Sequence, residues 1–256
     1  MSASFPQAYV RSEIHQSVAI IEFYHPQSNS LPSTLLEDLA REIHSAGANE
    51  DARLILLRSA GNRAFCAGAS FEELSAIDSP AKGHAFFNGF SLVINAIRKC
   101  PKLVIGRIHG KSVGGGVGLV AAVDYAIAVE GADIRLSELS IGIGPFVIAP
   151  AIERKIGKGA FSQLAIDAAH WRNAEWAQKK GLYAELHPDI ESMDESIGKL
   201  TTTLAHSHPE AMKELKKICW EGTEDWDRLL AERAAISGRL ALSSFSKNAI
   251  ARLKTK

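Results

Sequence analysis

The stretch Ile108-His109-Gly110-Lys111-Ser112-Val113-Gly114-Gly115-Gly116-Val117-Gly118-Leu119 limits what this chain can fold into more than any other. The apolar run Leu103-Val104-Ile105 before it reads as a buried strand, and Val117 to Val123 after it reads as a buried helix. A strand that turns sharply into a helix leaves the first helical N–H groups without intrahelical acceptors, and the helix dipole adds partial positive charge there. Glycines at such a turn let a ligand approach the backbone without meeting a Cβ. The pattern suits an anion, or an oxygen that becomes anionic during a reaction. The competing reading is that the glycines only bring helix and strand close together. Three in succession carry an entropic cost that favours the functional reading. A Walker loop is excluded, because Lys111-Ser112 precede the glycines instead of following them. A Rossmann Gly-x-Gly-x-x-Gly fits only with poor spacing, and no early strand carries it.

The 256 residues, 46% of them hydrophobic, allow one large domain or a domain with an appendage. Twenty-nine basic against 29 acidic side chains give no support for nucleic-acid or membrane-surface binding. No apolar run is long enough to cross a bilayer. The opening Met1-Ser2-Ala3-Ser4-Phe5-Pro6 lacks the basic and apolar regions of a secretory leader. Cys66, Cys100 and Cys219 have neither disulfide-framework nor metal-ligand spacing. The expectation is a reduced, cytoplasmic protein without a metal.

Tyr9-Val10 and Val18 to Phe23 read as an opening hairpin, followed by a loop at His25 to Ser30. Ser33 or Thr34 is expected to cap the next helix, with Glu37 completing a capping box, and Leu35, Leu36, Leu39 and Ile43 form its apolar face. Leu54-Ile55-Leu56-Leu57 reads as a strand buried on both faces. Small residues at Ala64 to Ser70 then lead into a short helix, a second place where amides could be exposed. A long helix is expected over Ala81 to Lys99, a strand over Tyr125 to Val129, and a strand and turn over Asp133 to Pro145. Pro150, Gly157, Gly159 and Gly181 punctuate short helices, and from Met193 onward the pattern is helical. Strands alternating with helices, then helices alone, indicate an α/β core over residues 1–192 with a helical region over 193–256.

Phe65-Cys66-Ala67-Gly68-Ala69, His109-Gly110 with Gly114-Gly115-Gly116, Asp124, Glu138 with Gly142, and the early Asn29-Ser30-Leu31 occur in an order that resembles the crotonase (enoyl-CoA hydratase/isomerase) superfamily. The resemblance implies a spiral of ββα units with C-terminal helices that assemble trimers, often paired into hexamers. It implies an acyl-CoA thioester as substrate, with coenzyme A arriving as part of it and no resident cofactor. By motif position, the N–H groups of Ala69 and Gly115 would form an oxyanion hole and Glu138 would be the acid–base residue. Ala67, Gly68, Ser70, Gly114, Gly118 and Pro145 would lie against the substrate.

Two departures stand out. Gly118 occupies the place of the first glutamate of the hydratases, and Pro145-Phe146-Val147-Ile148-Ala149-Pro150 replaces a glycine-rich turn. In both respects the chain resembles a branch acting on branched or carboxylated enoyl-CoAs, such as the methylglutaconyl-CoA hydratases. The expected use of Gly118 is to leave space for the branch. Water addition is the leading expectation; a double-bond isomerase and a catalytically weak acyl-CoA-binding paralogue are the alternatives. His109 and Cys66 are expected to be structural, and the tryptophans to pack helices.

Overall fold

The computed structural model describes residues 7–254; the opening residues Met1 to Pro6, read above for a leader, lie outside them. β1 (Tyr9–His15) and β2 (Val18–Tyr24) form the expected antiparallel hairpin, with Tyr9 opposite Tyr24 and His15 opposite Val18. The chain then repeats one move three times. β4 (Leu54–Ser59), β7 (Val104–Ile108) and β9 (Tyr125–Val129) lie side by side and parallel in the large sheet. Each is followed by a short strand that leaves that sheet: β5 (Ala64–Cys66), β8 (Lys111–Val113) and β10 (Ile134–Arg135). These three pair with one another in the same succession. A helix closes each turn: α3 (Pro80–Lys99), α4 (Gly115–Ala122) and α5 (Ala149–Ile166). This is the expected spiral of ββα units. Its two sheets advance together, so the short strands and the helix starts after them gather at one place.

Among the described residues the large sheet has the order β1-β2-β4-β7-β9-β11, where β11 is Glu185–His187. β11 escapes sequence reading because three half-buried residues, paired only with the distant β9, show no period. A two-stranded pair, β3 (Ser30–Leu31) with β6 (Gly68–Ala69), brings the early loop against the second small-residue turn. α1 (Ser33–Ala48) begins as expected, but neither Ser33 nor Thr34 caps it. Pro32 precedes the helix, and a carboxylate 40 residues on does the work: Glu73 Oε2 accepts from the Ser33 N–H at 3.0 Å and from its hydroxyl at 2.7 Å. α5 is broken at Gly157, whose φ of 74° and ψ of 158° are not helical, so two short helices meet there and Gly157 punctuates them as expected.

After α6 (Ala174–Lys179), four helices close the chain: α7 (Ile190–Ala205), α8 (Pro209–Cys219), α9 (Trp226–Ala241) and α10 (Ser244–Lys254). The boundary expected at residue 192 falls inside α7. Met193, Trp220, Trp226 and Leu230 share one apolar core with the sheets. α9 crosses α3 where two glycines meet: a Cβ on Gly83 would lie 2.7 Å from Gly238 Cα. Only glycines permit that approach. A buried ion pair fixes α8: Lys216 Nζ lies 2.9 Å from Asp124 Oδ2, at the end of α4. No helix of the described residues is long and apolar enough to cross a membrane.

Candidate active site

The site is built where the second and third turns of the spiral touch. Gly114 precedes α4 with φ 53°, a left-handed conformation that favours glycine. Its N–H donates to the Arg135 carbonyl at 2.9 Å, which ties the turn to β10. The first intrahelical bonds of α4 run from Val117 and Gly118 to the Gly114 carbonyl, at 2.9 and 3.3 Å. The N–H groups of Gly115 and Gly116 come before them and have no acceptor within the helix. Gly115 also has no room for a side chain, since a Cβ there would lie 2.7 Å from Phe90 Cε2.

The second turn leans on the first. Gly68 has φ 92°, and a Cβ on it would lie 2.9 Å from the Val113 carbonyl and 3.7 Å from the Gly115 nitrogen. In the parallel pair of β3 and β6, Ala69 stands opposite Leu31, and Leu31 O accepts from Ser70 N at 3.1 Å. A parallel ladder bonds the residues flanking Ala69, so Ala69's own N–H is directed away from β3. Ala69 and Gly115 are both walls of one cavity of about 540 Å³, together with Ala67, Gly68, Gly114 and Pro145. The remaining walls are mostly apolar: Phe86, Phe87 and Phe90 of α3 on one side, Ile141, Ile143, Val147 and Ile148 on the other.

Glu138 opens a short 3₁₀ helix, Glu138–Ile141, directly after β10. The half-buried side chain reaches the glycine turn: a Cβ on Gly114 would lie 2.8 Å from Glu138 Oε1. Oε2 is shut off from solvent and has no hydrogen-bond partner. Burial raises the carboxyl to about 7. The Glu138 and Ser137 backbones and the charge of Arg135 pull the other way. Among the residues lining the cavity, Glu138 is the one carboxyl, and Arg135 is the one cation.

Two expected substrate contacts are not at the cavity. Ser70 is buried beneath it, where its hydroxyl accepts from Glu73 N (3.2 Å) and caps α2 (Phe71–Ser75). Gly118 is buried in α4, and the space beside it is filled. A Cβ on Gly118 would overlap the Ile148 side chain, lying 2.7 Å from Ile148 Cβ. The missing glutamate therefore leaves no gap for a substrate branch; an isoleucine from the next turn of the spiral has taken the place.

Cys66 is fully buried, and burial pushes its thiol up to about 12, which leaves no thiolate for attack. His109 is buried with neither ring nitrogen partnered and is held neutral by burial. Sequence reasoning missed Arg135, whose setting depends on a residue 36 positions on: its guanidinium carbon lies 4.8 Å from the centre of the Trp171 ring. No group of three or more His, Cys, Asp and Glu among the described residues is placed to hold a metal ion.

Residues 13–251 match the family model described as "Enoyl-CoA hydratase/isomerase". A probable enoyl-CoA hydratase of Bacillus subtilis is 26% identical over 81% of this chain and 80% of its own length. A peroxisomal Delta(3,5)-Delta(2,4)-dienoyl-CoA isomerase of Arabidopsis thaliana is 25% identical, covering 77% of this chain and 74% of that protein. The crystal structure of enoyl-CoA hydratase from Bacillus halodurans superposes with a TM-score of 0.88 at 21% identity, over 95% of this chain and 99% of that one, a likeness of fold. With residues 13–251 inside the family model, the chain belongs to the enoyl-CoA hydratase/isomerase family.

Proposed function

We propose that this protein is a hydro-lyase that adds water across, or removes it from, the Cα–Cβ bond of an acyl-CoA thioester. The N–H groups of Ala69 and Gly115 take the thioester oxygen, and Glu138 moves the proton. In hydration, water attacks Cβ and gives a proton to Glu138, the electron pair moves onto the thioester oxygen, and Glu138 returns the proton to Cα. Donors already fixed where the negative charge develops need no rearrangement, and losing one costs about 3–4 kcal/mol of barrier. The observation that carries this reading is the Glu138 carboxyl, raised to about 7, beside the glycine turn. Such a group is populated in both protonation states near neutral pH, which suits a proton that must be taken and returned. The cavity's apolar walls leave room for a branched chain.

Double-bond isomerisation is the second reading. It is favoured by Ile148, which fills the position where α4 could have carried another carboxylate; one carboxyl suffices to move a proton between two carbons. Straight and branched 2-enoyl- and 3-enoyl-CoAs, incubated in heavy water and read by product mass, separate the readings. Hydration adds the mass of water, isomerisation exchanges deuterium without adding it, and a catalytically weak binder changes nothing. The same reading includes a homotrimer or hexamer, in which the 65%-exposed Phe245 and the exposed Leu253 of α10 find cover. A monomer by light scattering at micromolar concentration would exclude it.

A further inference from the structure

Among the described residues Arg135 has no ion-pair partner. It lines the cavity, its Nε is shut off from solvent, and that atom has no hydrogen-bond partner. Its neighbour Glu138 is close enough to feel the charge, yet among the described residues the two form no ion pair. Leaving a guanidinium N–H buried and unsatisfied is costly, and more so for a charged group. A site that only needed to be apolar would carry leucine or methionine there.

The guanidinium is also held in place. Ile134 and Arg172 exchange two backbone hydrogen bonds, 2.8 Å and 2.9 Å, which lock the segment before α6 against β10. That bridge sets Trp171 beside Arg135, with the ring centre 4.8 Å from the guanidinium carbon. Stacking on an indole orients a planar cation while leaving its N–H edges free to bond. On the other side, the Arg135 carbonyl receives the Gly114 N–H, so the residue belongs to the glycine turn itself.

Taking the acyl-CoA reading above as the starting point, we infer that Arg135 recognises a carboxylate carried on the acyl chain. A planar guanidinium matches a carboxylate edge to edge with two parallel hydrogen bonds. The phosphates of coenzyme A are the other source of anions. They are separated from the thioester by the whole pantetheine arm, whereas Arg135 lines the same cavity as Ala69, Gly115 and Glu138. A dicarboxylic acyl group, attached by one end as the thioester, would place its free end on the Arg135 guanidinium. The other cavity walls would then hold the carbon chain between.

Titration calorimetry with saturated thioesters tests this without any turnover. Glutaryl-CoA and valeryl-CoA have the same chain length and differ in the terminal carboxylate. Wild-type protein should bind glutaryl-CoA at least about 30-fold more tightly, the lower end of what a water-excluded charge pair contributes to recognition. Arg135→Gln should bring that ratio close to one, and Arg135→Lys should restore part of it, as a charge without the fork. A wild-type ratio near or below one overturns the inference, and needs no variant to fold. So does an Arg135→Gln protein that loses glutaryl-CoA, valeryl-CoA and free CoA by the same factor, which would make Arg135 a phosphate contact or a structural residue. Binding of none of the three overturns both the inference and the acyl-CoA reading. A clear preference for glutaryl-CoA with no turnover of any enoyl-CoA would remove the proposed reaction and leave the recognition standing.

Discussion

α4 has a carboxylate at each end, and the two live opposite lives. Asp124, just past its C-terminus, is saturated. Its Oδ2 accepts from the Val104 N–H at 2.7 Å and lies 2.9 Å from Lys216 Nζ, and its Oδ1 accepts from the Trp220 indole at 2.7 Å. Even its carbonyl is used, by Lys155 Nζ at 2.8 Å. Glu138, against the N-terminal turn, has one oxygen with no partner at all and a carboxyl raised to about 7. Both groups lie away from water, so burial alone does not distinguish them; the number of donors does. A buried carboxylate given donors ties elements together. One denied donors is driven toward the neutral form and can give or take a proton. The same short helix is anchored at one end and chemically poised at the other.

The comparison breaks most visibly at Asp124. Asp124→Ala would leave the 3%-exposed Lys216 as a buried charge without its partner and release Trp220 and the Val104 N–H. Removing one member of a buried ion pair costs about 3–5 kcal/mol. A urea midpoint should fall accordingly, with α8 and the Trp220 that follows it loosening first. A loss below about 1 kcal/mol would mean that the saturated end is not an anchor.

The matching change at the other end should hurt chemistry instead. Glu138→Gln keeps the shape and removes the acid. Turnover on the best enoyl-CoA should drop at least about 100-fold, the ordinary scale of a general acid–base residue, while thioester binding persists. Unchanged turnover would strip Glu138 of its role.

Glu138→Gln should at the same time stabilise the fold, and the sign follows from linkage. The folded protein holds the Glu138 proton up to about pH 7, and the unfolded chain releases it near the ordinary glutamate value, so between the two the native state binds more protons. Wild-type stability therefore declines as pH rises through that window, and above it the protein carries a charge whose Oε2 has no partner. The variant, neutral throughout, should exceed wild type by on the order of 1–3 kcal/mol at about pH 8, with the difference fading towards about pH 4.5. A difference that does not change with pH would show that Glu138 is not held neutral by burial.

The two ends were unequally legible in the sequence. The glycine turn announces itself, because three glycines after an apolar run serve a backbone conformation and a close approach that are local properties of the chain. Glu138 could be placed by its distance from a strand and by family resemblance. The unpartnered Oε2 could not, since an absence of partners is a property of the packed site. The anchor was invisible for the opposite reason: Lys216 and Trp220 stand 92 and 96 positions from Asp124, on a helix whose pattern shows only that it is amphipathic. The cap of α1 fails in the same way, where Glu73 from beyond β6 does what Ser33 and Thr34 were expected to do. Periodicity reports which face of an element is buried, and is silent about what it is buried against.

Gly118 is the smallest of these effects and the sharpest test of how the starved end was built. A glycine one turn into α4 looks like a vacancy in the sequence, and the structure fills it with Ile148. Gly118→Ala should therefore be destabilising, by up to about 2 kcal/mol, because the overpacking cost of roughly 1–3 kcal/mol outweighs the roughly 1 kcal/mol gained in helix propensity. The sign should invert when the neighbour is cut back. Ile148→Ala alone leaves a cavity and costs about 2–5 kcal/mol; in that background the new methyl group meets space, so Gly118→Ala should stabilise by about 1 kcal/mol. A double-mutant cycle read from urea midpoints isolates the coupling, expected at about 1–3 kcal/mol for two side chains competing for one volume. By the same clash, a glutamate cannot enter α4 at position 118 until Ile148 leaves. If Gly118→Ala is instead neutral or stabilising with Ile148 in place, the space beside α4 is open after all, and a substrate branch becomes its natural occupant.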